Sequence, residues 1–401
     1  MPHWLIVGGG TAGCVLASRL SESAGDHVTL IEAGTERASA TPSYLDDLAA
    51  TGALWDGLVA TDGGRVARPY PQGRGLGGSS AVNGGVLSMA HDDPLLPHAL
   101  VIGEPPGAAE LGVIDRALLA AAGDATVAVL ARRDGERLST ANTYLAAASG
   151  RVNLDVVSGA LVDRVLLAGR RAAGVVLADG AAIHADRVVC AAGAVFTPAL
   201  LLRSGVDTPR LGAGLRDHVG RVIGLTLRHH DDGAVHGLVT GAVLRRGAIE
   251  MVTMNHLGTA LPGHAALLVG LLVNQRRGAV RPCAGRTDDP TAPPDVDFGQ
   301  FGDADAVRLA AGVTLAEQLI DTAPFCDIVS EAHVVDGFGG YAHATSTCAM
   351  GTVVDEHGAV VGYEELFVAD ASVLPTLPAS GTYLPVVLLA ERLARAWRRI
   401  P

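Results

Sequence analysis

The positions most able to do chemistry are glycines set in a register. Gly8-Gly9-Gly10-Thr11-Ala12-Gly13 stands between an apolar run over 4–7 and an apolar helical pattern over 14–20. A second apolar run over 28–31 ends on Glu32. Strand, glycine turn, helix, strand and closing acid in that order bind a dinucleotide. Gly8 permits the tight turn, Gly10 lets the backbone approach a pyrophosphate, and Gly13 lets helix and strand pack closely. The helix start at Thr11 and Ala12 suits phosphate charge. Glu32 follows ~20 residues on, where a ribose hydroxyl would lie.

Gly73-Arg74-Gly75-Leu76-Gly77-Gly78-Ser79-Ser80-Ala81-Val82-Asn83-Gly84 is a second glycine-rich stretch. For a simple nicotinamide site it would be redundant. Laid along the pyrophosphate and isoalloxazine edge of a longer cofactor it has a use, which favours FAD over NAD. A flexible linker has no need of Arg74 and Asn83. Asp217-His218 is expected to be a structural pair near the cofactor rather than a catalytic dyad. His229-His230-Asp231-Asp232, with His236, reads as a solvated turn rather than a metal site.

These residues need elements to hold them. Of 401 residues, 49% are hydrophobic, enough for a large core and too many for a disordered or fibrous chain. Fifty-one glycines and only 4% aromatics fit the tight turns of an α/β nucleotide-binding protein. Thirty Lys+Arg against 42 Asp+Glu, net −12, leave no basic surplus for nucleic acid. Apolar stretches break well before bilayer length, and the first strand is under way by residue 5, so neither a membrane span nor a signal peptide is expected. Five cysteines without a CxxC pair fit reduced thiols in a cytoplasmic setting.

Strands are predicted over 153–157, 160–167, 173–177 and 183–190. Ala192-Gly193-Ala194 and Thr197-Pro198 follow, then an apolar helix over 199–203 read as started by the proline. Residues 219–342 alternate apolar and polar, for example over 222–228 and 266–274, which predicts an antiparallel sheet. A loop is read over 288–294 and a helix over 303–320. A strand over 365–368 and a long amphipathic helix over 385–397 close the chain.

In this order the blocks resemble the glucose-methanol-choline (GMC) family of FAD-dependent oxidoreductases. The resemblance spans nearly the whole chain. It is carried by the GxGxxG turn with Glu32, Gly77-Gly78-Ser79-Ser80 with Asn83, Ala192-Gly193-Ala194 with Thr197-Pro198, and Asp217-His218. His343-Ala344-Thr345-Ser346-Thr347-Cys348 and Leu366-Phe367-Val368-Ala369-Asp370-Ala371 complete it. It implies His343 as the catalytic base, taking a hydroxyl proton while hydride leaves carbon for flavin N5. An imidazole that titrates near neutrality accepts that proton at little cost. It further implies Glu32 on the adenosine ribose and the backbone of Val162 at the adenine. Arg74, Gly78, Ser79, Asn83 and Gly84 would line pyrophosphate and flavin, Asp370 and Ala371 the ribityl end, and Gly381 and Thr382 the site near the last helix. Relatives with covalent FAD attach it through a histidine just before this asparagine. Val82 stands there, so the FAD is expected to be non-covalent.

Two departures stand out. The family's second histidine or asparagine falls at Gly381, which offers no side-chain donor to an alkoxide. Thr382, Tyr383 and backbone amides remain as replacements. Much of the aromatic-rich segment that covers the flavin in the family is also missing after residue 88. A reduced lid suits a bulky or carrier-held alcohol, or a protein partner that completes the pocket. Cys348 is expected to be structural.

The expected fold is α/β, with a discontinuous Rossmann-like FAD-binding domain over 1–90, 150–218 and 343–401. A smaller α+β substrate domain with an antiparallel sheet is expected over 91–149 and 219–342. The expected function is oxidation of a small-molecule alcohol to a carbonyl. The alternatives are a non-redox flavin-dependent lyase or isomerase, and a flavoprotein acting as a binding or assembly partner.

Overall fold

The computed structural model describes residues 1–35, 51–65, 67–87, 94–97, 101–229, 238–337 and 339–399. Of the trimmed-lid segment 88–94 only Pro94 lies among them, and of the histidine-aspartate turn only His229.

The chain opens as β1 (His3–Val7), α1 (Thr11–Leu20) and β2 (His27–Glu32). The turn between β1 and α1 depends on glycine. Gly8 sits at φ 106°, and a Cβ on Gly13 would lie 1.9 Å from the Gly8 carbonyl oxygen. Any larger residue would push α1 off the sheet. A five-stranded parallel sheet follows in the order Leu154–Ser158, β2, β1, Arg187–Cys190, Leu366–Val368. Its inner strands read as near-continuous apolar runs because both faces are covered, whereas the edge strand Leu154–Ser158 is largely exposed. The last helix, Tyr383–Trp397, packs with α1 on one face. There Trp4 and Trp397 stack at 5.5 Å with an 18° interplanar angle, both almost fully buried. The Arg19 Nε–H donates to both oxygens of Glu391 at 3.0 Å, tying the two helices at their rim.

Two sequence readings need correction. The run over 183–190 is two strands, Ala182–His184 and Arg187–Cys190. The first completes a three-stranded antiparallel sheet with Val162–Ala168 and Arg171–Leu177. The chain changes sheets between Ala185, whose N–H donates to Ala173, and Asp186, whose N–H donates to His3. The polar Asp186-Arg187 step in the sequence marks that handover. Pro198 likewise does not start its helix, which runs Gly193–Arg203 with the proline inside. The missing amide leaves the Ala194 carbonyl without its usual partner. The Thr347 hydroxyl donates to that oxygen at 2.8 Å and fills the gap.

The predicted antiparallel sheet is present, ordered Val329–Val334, Val219–Leu227, His264–Leu271, Ile249–Met254, Ala242–Arg246, Thr126–Val127. Period-two alternation gives it two faces. Met251, Leu267 and Val269 pack with Leu309, Ala316 and Leu319 of the Asp303–Ile320 helix. Glu250, Val252, Met254 and Leu268 take the opposite face and line a cavity. A further sheet joins Val59–Thr61 to Asp295–Asp297 in parallel, so segments far apart in sequence meet beside that cavity. All five cysteines are unpaired. Among the described residues no helix is long and apolar enough to cross a membrane.

Candidate active site

One cavity of about 430 Å³ runs from the glycine turn after β1 to the open face of the antiparallel sheet. It gathers Gly8, Gly10, Thr11, Ala12, Glu32, Gly78, Ser79, Asn83, Gly84, Val162, His343, Asp370, Ala371, Gly381 and Thr382 on its wall. Two residues named from sequence are not there. Gly13 faces the Gly8 carbonyl and acts in helix–strand packing alone. Arg74 lies with its guanidinium 5.1 Å over the Trp55 ring and reaches the Ala33 carbonyl at 3.4 Å. Its guanidinium thus packs on two wall residues, Trp55 and Ala33, without lining the cavity itself.

Two buried carboxylates join the backbone segments around the cavity. Glu32 Oε2 accepts the Gly9 N–H at 2.7 Å, and Oε1 accepts those of Gly34 and Gly75 at 2.8 and 2.9 Å. The Gly77 N–H donates to the Gly9 carbonyl at 2.7 Å, so the two glycine-rich stretches are bonded directly. A Cβ on Gly78 would lie 2.7 Å from the Gly10 Cα, which explains the second stretch as a close backbone crossing. Asp370 Oδ2 accepts from Gly193 N–H at 2.8 Å and the Thr197 hydroxyl at 2.6 Å, while Oδ1 accepts Ser372 N–H at 2.7 Å.

At the far side His343 follows Ala342 (φ 58°) and precedes Ser346 (φ 71°), both non-glycine residues in left-handed backbone. Such conformations persist where surroundings impose them. The His343 N–H donates to Asp217 Oδ1 at 2.9 Å, and the Tyr70 hydroxyl donates to Oδ2 at 2.9 Å. The Arg216 and Thr345 amides exchange hydrogen bonds with each other's carbonyls. Burial pushes the Asp217 carboxyl up to about 7 against these donors.

The ring of His343 is held by a partner that adjacency in sequence cannot show. His218 Nδ1 lies 2.9 Å from His343 Nδ1, and His218 Nε2 lies 2.8 Å from the Pro378 carbonyl oxygen. A carbonyl only accepts, so neutral His218 carries its proton on Nε2 and presents Nδ1 as an acceptor. His343 must then carry its proton on Nδ1. Its Nε2 keeps a lone pair and has no hydrogen-bond partner among the described residues. Burial, then the neighbouring His218, holds His343 down to about 3, and burial holds His218 down to about 4. The near-neutral imidazole expected from sequence is corrected by this desolvation. Asp217, His218 and His343 lie close enough to hold a metal, but their facing atoms are already engaged with one another, Tyr70 and backbone.

Other residues at or behind the wall were missed or left open. Arg137 donates to the Asn83 backbone oxygen at 2.6 Å and to its Oδ1 at 2.8 Å, leaving the Asn83 Nδ2 donors without a partner among the described residues. Tyr383 turns its hydroxyl toward the Leu138 carbonyl, 3.5 Å away. Thr382 therefore carries the available hydroxyl beside Gly381. Glu250 and Tyr341 also line the cavity; alternation on a half-open sheet was the signal that could have found the first. The Cys348 thiol is fully buried and its pKa is raised by that burial.

Residues 107–220 match the N-terminal model of the family described as GMC oxidoreductase, and residues 275–390 match its C-terminal model. The chain belongs to the GMC oxidoreductase family. It is 29% identical to an uncharacterised GMC-type oxidoreductase of Rhodococcus erythropolis, over 97% of each chain. It is 28% identical to a 5-(hydroxymethyl)furfural oxidase of Methylovorus sp., over 98% of each. That alignment runs to 524 positions against 401 residues here, so the relative has segments this GMC oxidoreductase lacks. Among solved structures, pyridoxine 4-oxidase from Mesorbium loti superposes with a TM-score of 0.86 at 23% identity, covering all of both chains. Formate oxidase gives 0.83 at 20%, covering 98% of each. These likenesses establish the fold.

The residues present fit the family's FAD. α1 points an N-terminus with no side-chain cap and no acidic first turn at the cavity, as a pyrophosphate requires. The Tyr383–Trp397 helix does the same at the other end, where Gly381 and Thr382 line the wall. An anion placed at either end meets unpaired amides and a favourable helix dipole.

Proposed function

We propose that this GMC oxidoreductase holds FAD without a covalent bond and oxidises an alcohol to a carbonyl, with His343 as the proton acceptor. The observation that carries the reading is the His343 Nε2 lone pair on the cavity wall, fixed by the order Pro378 carbonyl, His218, His343. Glu32, the α1 amides at Thr11 and Ala12, and the backbone at Gly8 and Gly10 would hold the adenosine and pyrophosphate. Val162 would meet the adenine, Gly78, Ser79, Asn83 and Gly84 the pyrophosphate and flavin, and Asp370 with Ala371 the ribityl chain. Val82 offers no nucleophile for a covalent link. When bound, FAD supplies the two-electron acceptor for the hydrogen leaving the alcohol carbon.

The protein's own part is the proton. The substrate hydroxyl donates to His343 Nε2, and the ring's Nδ1 proton can pass to His218 Nδ1. The positive charge is then shared by two rings, the second donating to the Pro378 carbonyl. Thr382 at the Gly381 gap would donate to the developing alkoxide, in place of the family's second side chain. The furfural oxidase and choline dehydrogenase names among the relatives support an alcohol as substrate.

Anaerobic stopped-flow reduction by alcohols tests the reading. His343→Ala is expected to keep FAD bound and slow flavin bleaching by at least about 10²-fold. Unchanged bleaching removes His343 from the mechanism. Product formed without bleaching would instead indicate lyase chemistry.

A further inference from the structure

The open face of the antiparallel sheet carries a polar pair that the proton-transfer reading does not use. Strand register sets Gly220, Gly270 and Glu250 in one row across three neighbouring strands. Two glycines leave a channel in that row, and Tyr341 lies along it. A Cβ on Gly220 would come within 3.1 Å of the Tyr341 ring, and one on Gly270 within 1.9 Å of its hydroxyl oxygen. The hydroxyl thus reaches Gly270, whose neighbour in the row is Glu250. This oxygen is fully buried and has no hydrogen-bond partner among the described residues. Glu250 is 4% exposed; its Oε2 accepts from the Arg245 Nε–H at 2.6 Å, and its Oε1 has no partner among the described residues. Both residues line the cavity, and the Tyr341 and His343 rings are 5.5 Å apart.

A buried hydroxyl left unpaired costs free energy unless a ligand satisfies it. We infer that Tyr341 and Glu250 form a subsite for a second hydroxyl of the substrate, distal to the one oxidised at His343. The assignment rests on the alcohol-oxidation reading and narrows it. Tyr341 can donate to the bound oxygen while Glu250 Oε1 accepts its proton, and a hydroxyl is the group that meets both. A carboxylate would face Glu250 with like charge. A protonated amine would face a carboxylate whose charge Arg245 already balances. Val252, Met254 and Leu268 around the pair give the connecting carbons an apolar wall.

The test is anaerobic flavin reduction by 1-alkanols and α,ω-diols of matched length, four to eight carbons, with 6-amino-1-hexanol as the cationic comparison. The expected result is a diol of one length reducing the flavin at least about tenfold more efficiently than its 1-alkanol. That ratio is expected to fall toward one in Tyr341→Phe and in Glu250→Gln, with flavin retention reporting that each variant is folded. A wild-type ratio near one at every length overturns the subsite, as does a ratio that survives both substitutions. An amino alcohol preferred over the diol overturns the hydroxyl assignment. If alkanols and diols alike leave the flavin oxidised, the alcohol reading itself fails. Bleaching by alkanols with no diol preference sinks only the subsite.

Discussion

His218 and His343 meet through their Nδ1 atoms at 2.9 Å with ring planes at 86°. One hydrogen bond between two imidazoles requires that one donates and the other accepts. The Pro378 carbonyl decides which. His218 is therefore a positioning residue in this reading, setting which nitrogen of His343 is free.

His218→Ala removes the acceptor for the His343 Nδ1 proton. Flavin reduction at saturating alcohol is expected to slow about tenfold or more, with little change in KM. A purely structural role would not move the pH profile. Here the acid limb is expected to shift upward, because one of the two influences holding His343 down is lost. An unaltered limb in the variant contradicts the pairing.

The pH dependence follows from the depressed imidazoles. The base works unprotonated, so activity is lost as pH falls through the folded value. With His343 at about 3, kcat/KM is expected to hold down to about pH 5. An acid limb near the ordinary histidine value of about 6.5 excludes a buried neutral base. Stability behaves separately. Between about pH 6.5 and 4 the unfolded chain binds protons that folded His218 and His343 refuse, so Tm falls on acidification. Asp217, raised to about 7, opposes this, since the stability it contributes is lost as pH rises. Asp217→Asn is therefore expected to steepen the acid fall in Tm, measured by calorimetry across that window.

Glu32→Ala leaves the Gly9, Gly34 and Gly75 N–H groups without their acceptor. Loss of about 2–4 kcal/mol in stability and weaker FAD retention are expected. Glu32→Gln fails similarly, because an amide nitrogen would face a backbone donor. Urea unfolding and dialysis of the yellow protein measure both effects, and undiminished colour contradicts the proposed ribose role.

Thr347→Val orphans the Ala194 carbonyl beside Pro198. A loss of about 1–2 kcal/mol is expected. Adding Pro198→Ala restores an amide for that oxygen and should recover part of it, so chemical denaturation of the single and double variants checks the account.

Much of the cofactor half was legible because its signals are local. The glycines at 8, 10 and 13 act within one turn, and Glu32 ends the next strand. Period-two alternation likewise exposed the antiparallel sheet. What escaped depends on distance in three dimensions. His218 and His343 are 125 residues apart and meet only through folding. Tyr341 reaches Gly270, the neighbour of Glu250, along a row of glycines that two separate strands supply. Arg74, expected at the cofactor from its neighbours, lies over Trp55 of the wall, a contact no local pattern announces. The handover at Ala185 and Asp186 had a local sign, the polar Asp186-Arg187 step between a largely exposed strand and a buried one, which a single run over 183–190 passes over.

The three tryptophans occupy two separate places, and this divides what light can report. Trp4 and Trp397 lie face to face where the first strand meets the last helix, while Trp55 stacks on Phe196 at 4.3 Å on the cavity wall. Emission from the indole pair tracks the union of the chain's opposite ends; emission from Trp55 tracks occupancy. Single-tryptophan versions of the protein can therefore time pigment loading and global melting as independent events.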